Sequence, residues 1–418
     1  MNIVTSRCTV ILVISICSLF LFIKYIAQLF PSLIGISLIH DFALSGLQLG
    51  ILASSYYYSY SIMQIVSGWI LDRFSLRFAA ALSISIMGLG LLLFSHTHSF
   101  FMMCLFRVLM GVGASFATVL YMKSAALLTS HRTFGMVSSF LATATMLGAA
   151  AGGAPLAYLF HWLSWERGLE YVGILTIFLG IVGVILFPGK LSNSSKENTL
   201  SSSGRRLSSK SVFFHPQNWL LLAYSGLAFT PVVIIGGVWG TPFLVLKYHL
   251  SIQSVSYLLS IMFIGLAVGA PCWAYLSLKT QVRKSIMQIA NLLALLCLTL
   301  IIYAPVSYSS SMALFFLLGF SVGCFMLSFQ ICREINPIGL LGLSFAFMNT
   351  GEGLVGSVIE PLVGKILDLL KSTSHHAFTL HNFYWALSLV LGCFVFASLF
   401  LIKLQTEPQE KIHFNKAQ

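Results

Sequence analysis

Residues 188–218, PGKLSNSSKENTLSSSGRRLSSKSVFFHPQN, form the one long polar run of this chain and decide how the rest is divided. Serine, asparagine, lysine and arginine dominate it, and a segment so poor in apolar side chains cannot bury a core of its own. Ahead of it lie continuous hydrophobic segments at 8–30, 47–71, 78–95, 100–121, 134–160 and 171–187. Behind it lie six more, at 219–245, 255–276, 286–303, 312–331, 338–367 and 383–401. Roughly 20 apolar residues cross the hydrocarbon of a bilayer as a helix, so each segment is read as one span. The expected fold is therefore an all-α membrane protein of twelve transmembrane helices in two six-helix bundles. Its parts are residues 1–187, a cytoplasmic linker at 188–218, residues 219–404, and a cytoplasmic tail at 405–418.

Composition agrees. Of the 418 residues, 58% are hydrophobic and only 8% charged, with a mean hydropathy of +0.92. A soluble protein carries about 25% charged residues, so soluble enzymes and free nucleic-acid binders are excluded. The apolar runs are continuous where the strands of a membrane barrel would alternate. The first run carries Lys24 and no small-residue cleavage site, which separates it from a signal peptide. The net charge of +12 follows from topology. With the N-terminus inside, 17 of the 23 Lys and Arg fall on the cytoplasmic side and four (Arg167, Lys247, Lys365, Lys371) on the other. That bias places both termini in the cytoplasm and the chain in the cell inner membrane, with no nucleic-acid partner. The eight cysteines show no C-x-x-C spacing and read as apolar fillers. His96 with His98, and His375 with His376 and His381, read as solvated loop residues, so no metal is expected. Neither a phosphate loop of the Walker type nor a nucleophile-base-acid constellation appears, so ATP, cofactors and catalysis are not expected.

The halves repeat. An offset of 206 residues lays Leu250-Ser251 on Leu44-Ser45 and runs without a gap through the next helix, bringing Ala274, Leu278, Lys279 and Arg283 opposite Gly68, Asp72, Arg73 and Arg77. Paired repeats of this kind build secondary transporters, with substrate held between the halves near mid-membrane. Between the second and third spans the chain reads Gly68-Trp69-Ile70-Leu71-Asp72-Arg73-Phe74-Ser75-Leu76-Arg77. This resembles the G-x-L-x-D-R-x-G-R-R pattern of the major facilitator superfamily, with Ser75 at the second glycine and Leu76 at the penultimate position. Arg107-Val108-Leu109-Met110-Gly111-Val112-Gly113 resembles the superfamily's R-x-x-x-G-x-G on helix four. The resemblance covers nearly the whole chain and implies a carrier working by alternating access. It also implies that Asp72, Arg73 and Arg77 form a conformational latch at the cytoplasmic end of helix two. Because Leu278 stands at the aspartate position, the latch is expected to be stronger in the first half. The alternative is that these charges only set topology. Gly148 and Gly152 do not follow the superfamily's antiporter pattern and read as small residues for close helix approach.

Charges within spans are costly and mark candidate sites. Lys24 lies roughly 24 Å along the first span at 1.5 Å per residue, sharing a face with Gln28 and Pro31. A basic residue seven before a proline is similar to the organic-anion and sugar-phosphate branches of the superfamily. With no arginine on helix seven, organic anions are favoured over organophosphates. The competing reading is that Lys24 snorkels to the outer interface. Tyr57, Tyr60 and Gln64 form a stripe that either lines a cavity with Lys24 or packs the core. On helix eleven, Asn349, Glu352, Gly356 and Glu360 share a stripe before Pro361, with Glu352 about 18 Å deep and Glu360 nearer the outer surface.

Low dielectric favours the neutral form of a carboxyl group, so Glu352 and Glu360, with Arg107 stabilising helix contacts or gating, are the candidate proton-coupling set. Substrate is expected at Lys24, Gln28, Tyr57, Tyr60, Gln64 and Asn349. Alternatively the two glutamates only bond neighbouring helices. The expectation is a monomeric proton-coupled symporter for a small organic anion. An exporter or exchanger of a larger polycarboxylate, siderophore or drug-like compound is the alternative. A membrane sensor or integral enzyme is disfavoured by the lack of an extramembrane domain and of a catalytic cluster.

Overall fold

The computed structural model describes residues 7–128, 141, 144–187, 210–280, 282–336, 341–370 and 378–404. In the first half, α1 (Arg7–Leu29) and α2 (Pro31–Phe42) make one interrupted crossing. They are followed by α3 (Gly46–Arg73), α4 (Leu76–Ser95), α5 (Phe100–Ala114), α6 (Ala117–Leu128), α7 (Ala154–Trp162) and α8 (Trp165–Leu186). The second half opens with α9 (Lys210–Phe213), α10 (Pro216–Ala228), α11 (Thr230–Ile234) and α12 (Gly240–Tyr248). It continues with α13 (Ile252–Thr280), α14 (Arg283–Tyr303) and α15 (Tyr308–Val322), then a 3-10 turn (Gly323–Met326) leading into α16 (Leu327–Ile335). It closes with α17 (Leu341–Leu370) and α18 (Leu380–Lys403). Of the linker read at 188–218, residues 188–209 lie outside the described residues and the rest is largely helical (α9 and the start of α10), and the tail at 405–418 also lies outside them.

Eight helices or helix pairs among the described residues are long and apolar enough to cross a membrane. The fifth crossing, read at 134–160, lies partly outside the described residues, and the other three are polar or interrupted. Serines and tyrosines dilute α3, Asn349 and two glutamates dilute α17, and Thr230 to Trp239 interrupt the crossing of α10 to α12. In α3 and α17 the residues that lower the hydropathy include Tyr57, Tyr60, Gln64, Asn349, Glu352 and Glu360, all read from the sequence as candidate site residues.

The repeat is visible in the backbone. Ala43 (φ 50°) and His249 (φ 52°) are the positive-φ non-glycine residues of the described chain, and they stand 206 positions apart. Each ends the first crossing of its half, and the next residue but one, Ser45 or Ser251, caps the following helix by accepting from Gln48 N or Ser254 N. Breaks repeat as well. The first crossing of each half is interrupted at a proline, Pro31 or Pro231, and the fourth at Ser115-Phe116 or at the 3-10 turn.

The halves meet along α3 and α17 near the face distal to the two chain termini. A Cβ on Gly50 would stand 2.6 Å from the carbonyl oxygen of Glu360 and 2.8 Å from Cα of Pro361. One on Gly46 would stand 2.8 Å from the oxygen of Gly364. Only glycine lets the two backbones approach this closely. The repeat-related seam pairs α13 with α7. There Ser260 Oγ donates to Ala150 O (2.9 Å) and accepts from Ala154 N (3.0 Å), while its counterpart Ser54 donates to Glu360 Oε2 (3.3 Å).

Candidate functional site

The break in the first crossing organises the site. Pro31 has no N–H, so the carbonyl of Ala27, four residues earlier, loses its helical donor. Within a bilayer that loss must be made good internally. Arg107, from α5, supplies the bond. Its Nη1 donates to Ala27 O (2.5 Å), Nη2 to Ala53 O (3.1 Å) and Gln28 O (3.4 Å), and Nε to Leu52 O (3.5 Å). The guanidinium is fully buried between the rings of Phe30 and Tyr56, 5.2 and 4.9 Å from their centroids. Arg107 therefore binds helices together. In the second half Pro231 orphans Leu227 O, and Thr230 Oγ1 donates to it at 2.7 Å from within the same segment.

One turn before this break stands Lys24, only 4% exposed. Its Nζ lies over the rings of Tyr25 (4.1 Å) and Tyr60 (4.7 Å). It is enclosed by protein and does not snorkel to an interface. Two aromatic faces return about 1–2 kcal/mol each, whereas stripping an ammonium group of water costs several kcal/mol. Within the first half, the balance is a site short of negative charge. Around it, Gln28 Nε2 donates to Tyr57 Oη (3.2 Å), and Gln64 Nε2 to Tyr60 Oη (3.0 Å). From the other half, Asn349 Nδ2 donates to Gln64 Oε1 (3.1 Å) and, more distantly, to Tyr60 Oη (3.5 Å). All six residues read as substrate-binding thus fall in one cluster at the junction of α1, α3 and α17.

Glu352 is half-buried on α17, accepts from Ser225 Oγ (3.4 Å), and interacts electrostatically with Lys24 across the two halves. Glu360 is 1% exposed. Although near the distal end of its helix it is covered by α3 and α11, with Trp239 Nε1 donating to its backbone oxygen (3.1 Å). It interacts with Arg107 rather than Lys24. The two carboxylates therefore face different cations.

Sequence reading missed three neighbours. Tyr25 lies against the Lys24 ammonium and Tyr56 interacts with it electrostatically, and the buried Tyr56 hydroxyl has no hydrogen-bond partner among the described residues. Tyr56 follows two serines and precedes Tyr57 in a tyrosine run, a signal that was present but spread over every face of the helix. Ser225 carried no signal at all.

The side chains of Asp72 and Arg73 lie outside the described residues. Arg77 donates from Nε to Phe187 O at 2.6 Å, tying α4 to the end of α8. In the second half, where Leu278 replaces the aspartate, Arg283 finds its acid on another element. Its Nη1 pairs with Glu334 of α16 at 2.6 Å, and its Nε donates to Ser277 Oγ (3.2 Å). The described histidines do not converge. His96 lies 3.7 Å from Glu170, His98 stacks on Phe42, and His381 accepts from Trp385. His375 and His376 lie outside the described residues. No group of three or more metal-ligating side chains occurs among the described residues, and the seven described cysteines are free.

The Major Facilitator Superfamily model matches residues 12–360. The chain belongs to this family of membrane transporters. A Bacillus subtilis protein named as an uncharacterized transporter is 23% identical over 87% of this chain and 88% of its own length. The probable L-galactonate transporter of Escherichia coli is 22% identical, covering 84% and 81%. The hexuronate transporter of B. subtilis is 23% identical, covering 87% of each. Among solved structures, a bacterial homologue of the lysosomal transporter Spinster in an inward-facing, occupied conformation aligns with 97% of this chain and 100% of its own. Its TM-score is 0.77 at 14% identity. The nucleoside transporter NupG aligns over 94% and 98%, with a TM-score of 0.72 at 13% identity. These likenesses concern the fold.

If Arg107 closes the proline break, Arg107→Lys, which keeps the charge but cannot reach four carbonyls, should lower stability by about 2 kcal/mol. In a protein of this size that is a fall of roughly 2 °C in Tm, measured by thermal unfolding in detergent. An unchanged Tm would remove the role.

Proposed function

We propose that this chain is a secondary carrier for a small polyhydroxylated organic acid, of the aldonate or hexuronate kind, imported with protons across the cell inner membrane. The observation that carries the reading is Lys24. It is a buried ammonium group whose close company on its own half, among the described residues, is aromatic faces and amides. A carboxylate is the ligand such a group lacks, and Gln28, Gln64, Asn349 and the tyrosine hydroxyls suit a chain of hydroxyl groups beyond it. The named functions of the galactonate and hexuronate transporters support the same chemistry.

The excess of basic residues on one side supports a cytoplasmic location for both termini. The halves rock about the cluster, opening it to each side in turn. Glu352 faces Lys24 from the opposite half, so an anion arriving at Lys24 competes with that carboxylate for its electrostatic partner. Protonation of Glu352 removes the repulsion between the two acids and lets the halves close on a neutral content. Anion and proton then travel together. Glu360, held by Ser54 and neighboured by Arg107, is the second proton-binding group of the same helix.

Two measurements test this. In proteoliposomes, a panel of aldonates, uronates, neutral hexoses and nucleosides should show acid uptake that rises with an inward proton gradient. Lys24→Ala should lower acid uptake at least roughly tenfold, the loss of one strong charge-assisted bond. Transport of the neutral compounds with no transport of any acid would overturn the substrate class. Separately, Glu352→Gln should still exchange labelled for unlabelled acid yet fail to accumulate it on a proton gradient. Full accumulation by that variant would take Glu352 out of the coupling.

A further inference from the structure

Ser357, Glu360, Gly364 and Asp368 recur at three- and four-residue steps along α17, and each meets α3 of the opposite half. The last contact differs in kind from the others. The N-terminal N–H groups of a helix have no partner within the helix. In α3, Ser45 satisfies that of Gln48. Those of Gly46 and Leu47 are taken by the two carboxylate oxygens of Asp368, Oδ1 and Oδ2, each at 2.7 Å. A carboxylate at a helix N-terminus also gains from the aligned peptide dipoles. The donors belong to one half and the acceptor to the other, more than 300 residues away. Eleven residues earlier the seam repeats the device in reverse. Pro361 orphans the carbonyl of Ser357, and Tyr58 Oη of the opposite half donates to it at 2.8 Å.

We propose that Asp368 is the latch of the distal gate. Its carboxylate holds α3 against α17 only while that face is shut, and it releases both N–H groups when the halves part. Tyr58 is its auxiliary, since the bond to Ser357 exists only with the seam closed. The latch is one-sided. The repeat places Trp162, an exposed indole, where a second carboxylate would face the start of α13. That seam is closed instead by the hydroxyls of Tyr257 and Tyr158, 3.1 Å apart. Removing Asp368 therefore leaves the distal face with no charged contact of this type among the described residues. The resting balance between the two access states should move toward distal opening.

The test reads conformation and needs no substrate, so its failure is separable from failure of the sugar-acid reading. Spin labels at Ser99, before α5, and Ser309, in the first turn of α15, report the separation of the halves on the distal face by double electron–electron resonance. The protein is full length, in nanodiscs, with its other reactive cysteines replaced. The short distance should dominate in the otherwise unaltered chain. Asp368→Ala should raise the ratio of long to short distances at least roughly tenfold. Asp368→Asn, which keeps one acceptor oxygen, should produce a smaller rise, as should Tyr58→Phe. Distance distributions of Asp368→Ala that superpose on the parent would overturn the proposal. Should Asp368→Ala not yield folded protein, an unshifted distribution for Asp368→Asn overturns it equally.

Discussion

A carbonyl left without a donor inside a bilayer has no water to turn to, and much of the architecture of this transporter rests on three such carbonyls that side chains satisfy. Pro31, Pro231 and Pro361 each remove one helical hydrogen bond. The three solutions differ in reach. Thr230 serves Leu227 from within its own segment. Arg107 serves Ala27 from another helix of the same half. Tyr58 serves Ser357 from the other half altogether. The first solution fixes a kink and the second fixes a kink together with the pose of Lys24 one turn away. The third holds only in a conformation that joins the halves on one face.

From this follows a division of labour between charges that look alike in sequence. Arg107 and Lys24 are both buried cations of the first half. Arg107 is saturated by carbonyl oxygens, whereas Lys24 rests on rings that return less than its desolvation costs. Only the second is left with a claim on a ligand. Glu352 and Glu360 divide in the same way. Glu352 looks across at Lys24, while Glu360 occupies the place that the repeat assigns to Ala154 and is bonded by Ser54, the counterpart of Ser260. A duplicated scaffold has been made asymmetric at those two positions, with a carboxylate on one seam and a plain backbone N–H on the other.

Much of the fold was legible because hydropathy and the polar run at 188–218 are one-dimensional signals. The 206-residue offset, read from Leu44-Ser45 and Leu250-Ser251, reappears as the paired left-handed residues Ala43 and His249. The site was legible as a list of residues but not as an arrangement. Lys24, Tyr60, Gln64 and Asn349 stand out as polar groups in apolar spans, and they do meet. That Arg107 would be spent on a proline break could not be read, because it depends on a contact 80 residues distant. Asp368 escaped notice for a related reason. It sits at a span end, where an acid is unremarked, and its partners are backbone N–H groups that carry no sequence signature. The structure also supplies Arg283 with Glu334 in place of the aspartate that Leu278 displaces.

The most direct test of the central claim, that Lys24, a cation with no salt bridge among the described residues, takes the anion, is an electron cryomicroscopy structure of the carrier saturated with a transported sugar acid. The account predicts ligand density between the halves, its carboxylate about 3 Å from Lys24 Nζ and its hydroxyls among Gln28, Gln64 and Asn349. Density elsewhere, with the ammonium still packed on Tyr25 and Tyr60, would contradict it.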